Sequence, residues 1–87
     1  MNGHTSEQVP RKVIQMLQST VDFPSEHIEF SLRGQKFSMI ISRDDNEFDC
    51  WLTTCVGDIS YSREFTSSDE FDEALRALTK VYDSKQK

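Results

Sequence analysis

From Glu26 to Phe65 apolar and polar residues alternate in short runs broken by turn residues. Ile28, Phe30 and Leu32 fall at every second position, with His27, Glu29, Ser31 and Arg33 between them. A period of two marks a strand buried on one face. Phe37, Met39 and Ile41 repeat the pattern, as do Phe48, Cys50, Leu52, Thr54 and Val56, and then Ile59, Tyr61 and Phe65. Between the runs lie Arg33-Gly34-Gln35-Lys36, the polar segment Arg43 to Glu47, and Gly57-Asp58. These read as three hairpin turns. Glycine at the first central position of the first turn suits type II′ geometry, because glycine accepts positive φ.

The turns set an expected register. Arg33 opposite Lys36 places Leu32 against Phe37 and Phe30 against Met39. A four-residue middle loop sets Met39 against Leu52 and Ile40 against Trp51. Val56 opposite Ile59 places Thr54 against Tyr61 and Cys50 against Phe65. Every pairing keeps apolar residues on one face, which is the internal check on register.

The flanks change period. After Pro10, which suits a first helical turn, Val13, Ile14, Leu17 and Val21 form a helical stripe with Met16 at its margin. That helix is expected to end before Pro24, since a residue preceding proline resists the α region. Ser67 and Glu70 have capping-box spacing, and Phe71, Leu75, Leu78 and Tyr82, with Ala74 and Val81, form the stripe of a last helix. Residues 1–8 and 84–87 read as polar tails. The expected fold is α+β: one domain over 1–87, a two-layer sandwich in which a four-stranded antiparallel meander carries both helices on one face, in the order αββββα. The other face is left to His27, Glu29, Lys36, Ser38, Ile40, Asp49, Trp51, Thr53, Cys55, Ser60, Ser62 and Glu64. Ile40 and Trp51 are its apolar exceptions. They either shield the sheet as a cross-strand pair or anchor a partner, a role tryptophan often fills.

Composition narrows the class. At 87 residues the chain buries roughly 60–65% of its unfolded surface, so its stability is modest. No apolar run approaches the ~18–20 residues of a membrane span, and the polar start Met1-Asn2-Gly3-His4-Thr5 has no signal-peptide core. Cys50 and Cys55 lie on one strand, an odd number of positions apart, so they face opposite sides about 17 Å apart. They can neither bridge nor share a metal. Two unpaired thiols point to a reducing, cytoplasmic setting.

Charge adds most. Fifteen acids against ten lysines and arginines give a net −5. In a meander, alternate turns lie at opposite ends of the sheet. The middle turn with Asp44, Asp45, Glu47 and Asp49, the start of the last helix with Asp69, Glu70, Asp72 and Glu73, and the first connection with Asp22 and Glu26 are therefore expected at one end. Arg11, Lys12, Arg33, Lys36, Lys80, Lys85 and Lys87 are expected at the other, with Asp58 as an exception. Acids in turns and in a helix's first turn are ordinary; the convergence of three segments is not, because gathering like charges costs repulsion.

Several chemistries are disfavoured. Asp44 to Asp49 begins like a calcium loop, but Phe48 takes a ligand position and Asp49 replaces the glycine. His27 and Cys55 share the open face at opposite ends, so no nucleophile–base pair forms. No apolar pocket is evident to raise a carboxylate pKa, and no glycine-rich phosphate loop is present. Net charge disfavours direct nucleic-acid binding. No catalytic residue, metal or cofactor is expected.

Trp51-Leu52-Thr53-Thr54, followed by Gly57 in a helix–sheet–helix frame, resembles the exposed-tryptophan strand of the frataxins. That resemblance implies an acidic iron-binding ridge and docking to iron–sulfur assembly machinery through the sheet face, with Trp51 as a docking residue. The likeness covers about a dozen residues. The chain departs from the family in lacking its additional strands and in carrying Arg11 and Lys12 where the family has acids.

The reading favoured by size and charge is a small non-enzymatic inhibitor that presents Asp44, Asp45, Glu47, Asp49, Asp69, Glu70, Asp72 and Glu73 to the basic surface of a partner protein, with Trp51 and Ile40 as an apolar anchor. Anti-restriction, anti-CRISPR and toxin-immunity proteins are analogies of this kind. The alternative is a module or ancillary subunit that binds through the open face around Trp51, frataxin-like or secretion-chaperone-like.

Overall fold

The sheet comes from three consecutive hairpins. The structure, a computed structural model, describes residues 9–86, with side chains described from Val9 to Val81. Its elements are α1 (Arg11–Leu17), β1 (Phe23–Leu32), β2 (Gln35–Asp44), β3 (Glu47–Val56), β4 (Ile59–Phe65), a 3-10 turn at Ser68–Glu70 and α2 (Phe71–Gln86). The strands pair antiparallel in the order β1-β2-β3-β4. The chain is thus an α+β protein built on a four-stranded meander.

Two hairpins keep the expected register. Met39 faces Leu52 and Ile40 faces Trp51, while Thr54 faces Tyr61 and Cys50 faces Phe65. The middle strands run further into their turn than expected: Asp44 pairs with Glu47, leaving only Asp45-Asn46 at the tip, both at positive φ (54° and 67°). That is a type I′ turn. The segment Asp44 to Asp49 is therefore strand, turn and strand, with no room for a calcium loop.

The first hairpin differs. Leu32 pairs with Gln35, Phe30 with Phe37 and Ile28 with Met39, a slip of two residues from the expected pairing. Arg33 (φ 53°) and Gly34 (φ 82°) form a type I′ turn, with glycine at the second central position instead of the first. A slip of two leaves every side chain on its face, so alternation could not expose it. Gln35 is strand and not turn because its amide is satisfied inside. It is 3% exposed, and its Nε2 donates to Thr54 Oγ1 at 3.1 Å and to the Leu78 carbonyl at 3.3 Å. Thr54 Oγ1 in turn donates to the Lys36 carbonyl at 2.7 Å. This chain of bonds ties α2 to the middle of the sheet.

α1 is two turns long and stops well before Pro24. Val13, Met16 and Leu17 are its buried residues; Ile14 is 38% and Val21 72% exposed, against the expected stripe. The cause is Ser19. Its hydroxyl donates to the Val21 carbonyl and accepts from the Val21 N–H, a local arrangement that competes with helix. β1 then begins at Phe23, and an irregularity between Phe23 and Glu26 accommodates Pro24 on an edge strand.

The Ser67 hydroxyl caps the last helical segment by accepting from the Asp69 N–H at 3.3 Å. The Glu70 N–H goes to the Ser67 carbonyl, which starts a 3-10 turn in place of the expected box. Phe71, Ala74 and Leu78 are buried, with Leu75 packed against them; the Tyr82 side chain lies outside the described residues. α2 continues to Gln86, where a tail from Ser84 was expected. The other expected tail, 1–8, lies outside the described residues.

The residues buried from α1 and α2 join one hydrophobic cluster with the inward residues of all four strands. Phe30 stacks on Phe37 at 5.4 Å. Phe48, Phe65 and Phe71 form a tilted series with 6.2 Å between successive rings, fixing the start of α2 against the end of β4.

Candidate partner-binding site

The meander brings the α1–β1 connection, the β2–β3 turn and the start of α2 to one end of the sheet. Gln18, Ser19 and Thr20 line a cleft of about 350 Å³ together with Asn46 and with Ser67 and Ser68. A neighbouring cleft joins Ile14 and Leu17 to Asp69 and Asp72. Asp22 links two of the segments: its Oδ2 accepts from the Asp45 N–H at 3.0 Å. Asp44, Asp45, Glu47, Asp69, Glu70 and Asp72 are all exposed.

Two of the expected acids also have other neighbours. Glu73, in the first turn of α2, also lines a cleft that extends to Arg33, Arg76 and Lys80. Asp49 lies on the open sheet face, half-buried, between Ser42 across β2 and Trp51 along β3. The expected segregation of charge also fails at one pair: Lys12 Nζ is 2.8 Å from Glu26 Oε1. A seven-residue helix rises only about 10 Å, so α1 cannot carry Lys12 to the opposite end.

Sequence reasoning missed Arg43, Arg76 and Glu64. Arg43 points inward at the end of β2, where alternation demands an apolar residue. Its Nε is buried without a hydrogen-bond partner, 4.0 Å from Asp22 Oδ1, so it places one cation beneath the acidic end. Glu64 on β4 faces Trp51 on β3, on the same sheet face as Asp49. Hydrogen bonding toward the Asp49 carboxylate first, then desolvation and Asp49's charge, raise the Glu64 carboxyl above its ordinary range, while Asp49 Oδ1 itself is buried without a partner. Only the protonated acid can donate that bond.

Two complete rows cross the open face, Glu29, Ser38, Thr53 and Ser62 in one and His27, Ile40, Trp51 and Glu64 in the other. Ile40 is 49% and Trp51 44% exposed, side by side. The rows around them are polar: His27 Nε2 lies 2.6 Å from Ser38 Oγ and Thr53 Oγ1 2.8 Å from Ser62 Oγ. Cys55 sits four residues beyond Trp51, about 13 Å at strand rise, with Ser60 Oγ 3.3 Å from its sulfur. His27 and Cys55 therefore do not meet. Cys50, on the other face, is buried, and its thiol is pushed up to about 12 by desolvation first and the Asp49 charge second. Among the described residues no three His, Cys, Asp or Glu side chains are grouped to hold a metal ion, and no helix is long and apolar enough to cross a membrane.

No protein-family model, curated protein or solved structure matches the chain. The frataxin resemblance accordingly rests on the Trp51 segment alone.

Proposed function

We propose that this is a small acidic, non-enzymatic inhibitor that docks its acidic end on the basic, nucleic-acid-binding surface of a partner protein in the cytoplasm. Both helices cover one face of the sheet and leave the other to solvent. The observation that carries the reading is the meeting of the β2–β3 turn with the start of α2, tied to the first connection by the Asp22–Asp45 hydrogen bond. Acids from distant segments converge there on exposed positions. Their field would steer a cationic partner and make association strongly salt-dependent. Anti-CRISPR, anti-restriction and immunity proteins work in this general manner, and the analogy is one of size and charge.

The test is to replace Asp44, Asp45, Glu47, Asp69 and Asp72 together by lysine and repeat affinity capture from the native host at low and high salt. The variant keeps its circular dichroism spectrum and loses the partner. Capture that persists at low salt shows the acids to be a solvated rim.

A second reading is favoured by the Ile40–Trp51 pair, which leaves adjoining apolar side chains half exposed in a polar field. An interaction module that docks through this face depends on Trp51 and is insensitive to the turn and helix acids. Trp51→Ala then abolishes capture while the five-fold lysine variant retains it.

A further inference from the structure

A cleft lies between the β1–β2 turn and α2. It measures about 730 Å³, within the roughly 300–1,000 Å³ usual for small-molecule sites. Arg33 enters it from the turn, and Arg76 and Lys80 from α2, while Leu32 and Leu75 supply apolar wall and Gln35 the floor. We propose that this cleft binds a small organic anion: a carboxylate or phosphate head carried on an apolar body.

Three observations carry the assignment. The first is the local reversal of charge sign. In a chain of net charge −5, three cations share one cleft with a single acid, Glu73. Among the described residues none of the three cations has a carboxylate within the 4.0 Å that defines the ion pairs of Lys12 and Arg43. The second is Arg33 itself. It holds φ at 53°, a conformation that favours asparagine or glycine, so local structure does not account for arginine there. An arginine fork does match a carboxylate or phosphate. The third is the floor. Both Nε2 hydrogens of Gln35 are committed, to Thr54 and to Leu78, so the floor offers the anion no donor. The head group is thereby confined to the rim of Arg33, Arg76 and Lys80, and the apolar body lies along Leu32 and Leu75, both only half-buried.

The test of this site is independent of any protein partner. The full-length chain, labelled with ¹⁵N, is titrated with decanoate, decyl phosphate, decanol and acetate below their aggregation limits. Decanoate or decyl phosphate should give saturable shifts at the amides of Arg33, Gln35, Arg76 and Lys80, and the stronger of the two identifies the head group. Decanol and acetate should bind about ten-fold more weakly, each lacking half of the recognition. Arg76→Ala and Lys80→Ala, both at exposed positions, should each weaken the anionic ligand about five-fold and leave decanol unchanged. Absence of saturable shifts with both anions, equal binding of decanol, shifts centred elsewhere, or unaltered affinity in both variants would each overturn the assignment.

Discussion

Asp22 Oδ2 accepts a hydrogen bond from the backbone N–H of Asp45 at 3.0 Å, so two acids of the same end are held together by a peptide dipole and not by a cation. The bond joins the segment before β1 to the tip of the β2–β3 hairpin, and Arg43 Nε at 4.0 Å adds charge without a hydrogen bond. Asp22→Ala should lower stability by about 1 kcal/mol, the net worth of one such bond at an exposed site. Asp22→Asn, which keeps an acceptor, should cost less. Urea unfolding at constant m value measures both. An unchanged midpoint for Asp22→Ala means that the bond contributes nothing.

The tip of that hairpin also stores conformational cost. Asn46 holds φ at 67°, which glycine adopts more readily in a type I′ turn. Asn46→Gly should stabilise the domain by about 0.5 kcal/mol. The converse experiment is Gly57→Ala. Gly57 sits at φ 64°, and an added Cβ there would meet nothing within 4 Å, so any loss isolates the backbone effect. About 1 kcal/mol is expected. Thermal unfolding of the two variants should move in opposite directions.

These turns mark the limit of what alternation can reveal. The pairings of Ile40 with Trp51 and of Cys50 with Phe65 follow from side-chain parity plus loop length. The first hairpin slipped because Gln35 looks like a turn residue, and its burial depends on Thr54 and Leu78, which are distant in sequence. α1 reads as long because Val21 continues a 3.6-residue period, while the Ser19 bonds that end it are invisible to hydrophobic pattern. The exposed acids of the β2–β3 turn were legible from topology. The Lys12–Glu26 pair was not, because it depends on the true length of α1. Arg43, a cation on an inward position, broke the rule used to find inward positions. Arg76 shares its cleft with Arg33, forty-three residues away in sequence, a proximity that only the packing of α2 beside the first hairpin creates.

The Gln35–Thr54–Leu78 network should be among the more sensitive polar sites in the core. Removing the amide leaves Thr54 Oγ1 with one partner fewer and the Leu78 carbonyl without that donor. Gln35→Ala should cost about 2 kcal/mol, combining an unmet buried acceptor with lost packing. Thr54→Val removes the other side of the bond. A double-mutant cycle should return a coupling of about 1 kcal/mol. Additive losses would show that the two residues act independently despite their 3.1 Å separation.

Glu64 gives a pH dependence of defined sign. Its carboxyl is raised above the ordinary 4.5 in the folded chain, by the bond to Asp49 first. The folded state therefore holds this proton more tightly than the unfolded state. The contribution is complete below pH 4.5 and is lost as pH rises through the folded value. In a ¹³C titration the Glu64 carboxyl of the wild type should titrate above that of Asp49→Asn, in which Asp49's charge is gone. Glu64→Gln should remove this component of the stability–pH curve, because an amide donates to Asp49 at every pH. Coincident Glu64 titrations in the two proteins would dismiss the pairing.

The two thiols should separate by more than accessibility. Cys50 is fully buried, and its thiol is pushed up to about 12 by desolvation and by the adjoining Asp49, so thiolate, the reactive form, is scarce at neutral pH. Cys55 is exposed on the other face. A thiol reagent applied to the native chain at pH 8 should therefore label Cys55 alone, and Cys55→Ser should abolish fast labelling. Cys50 should then react only as the domain opens, at a rate that follows global unfolding, because it lies on a central strand within the buried hydrophobic cluster. Asp49→Asn tests the electrostatic part separately. It lowers the Cys50 barrier to ionisation without uncovering it, so native-state labelling should stay slow. Fast reaction of Cys50 in that variant would mean that charge, and not burial, protects the thiol.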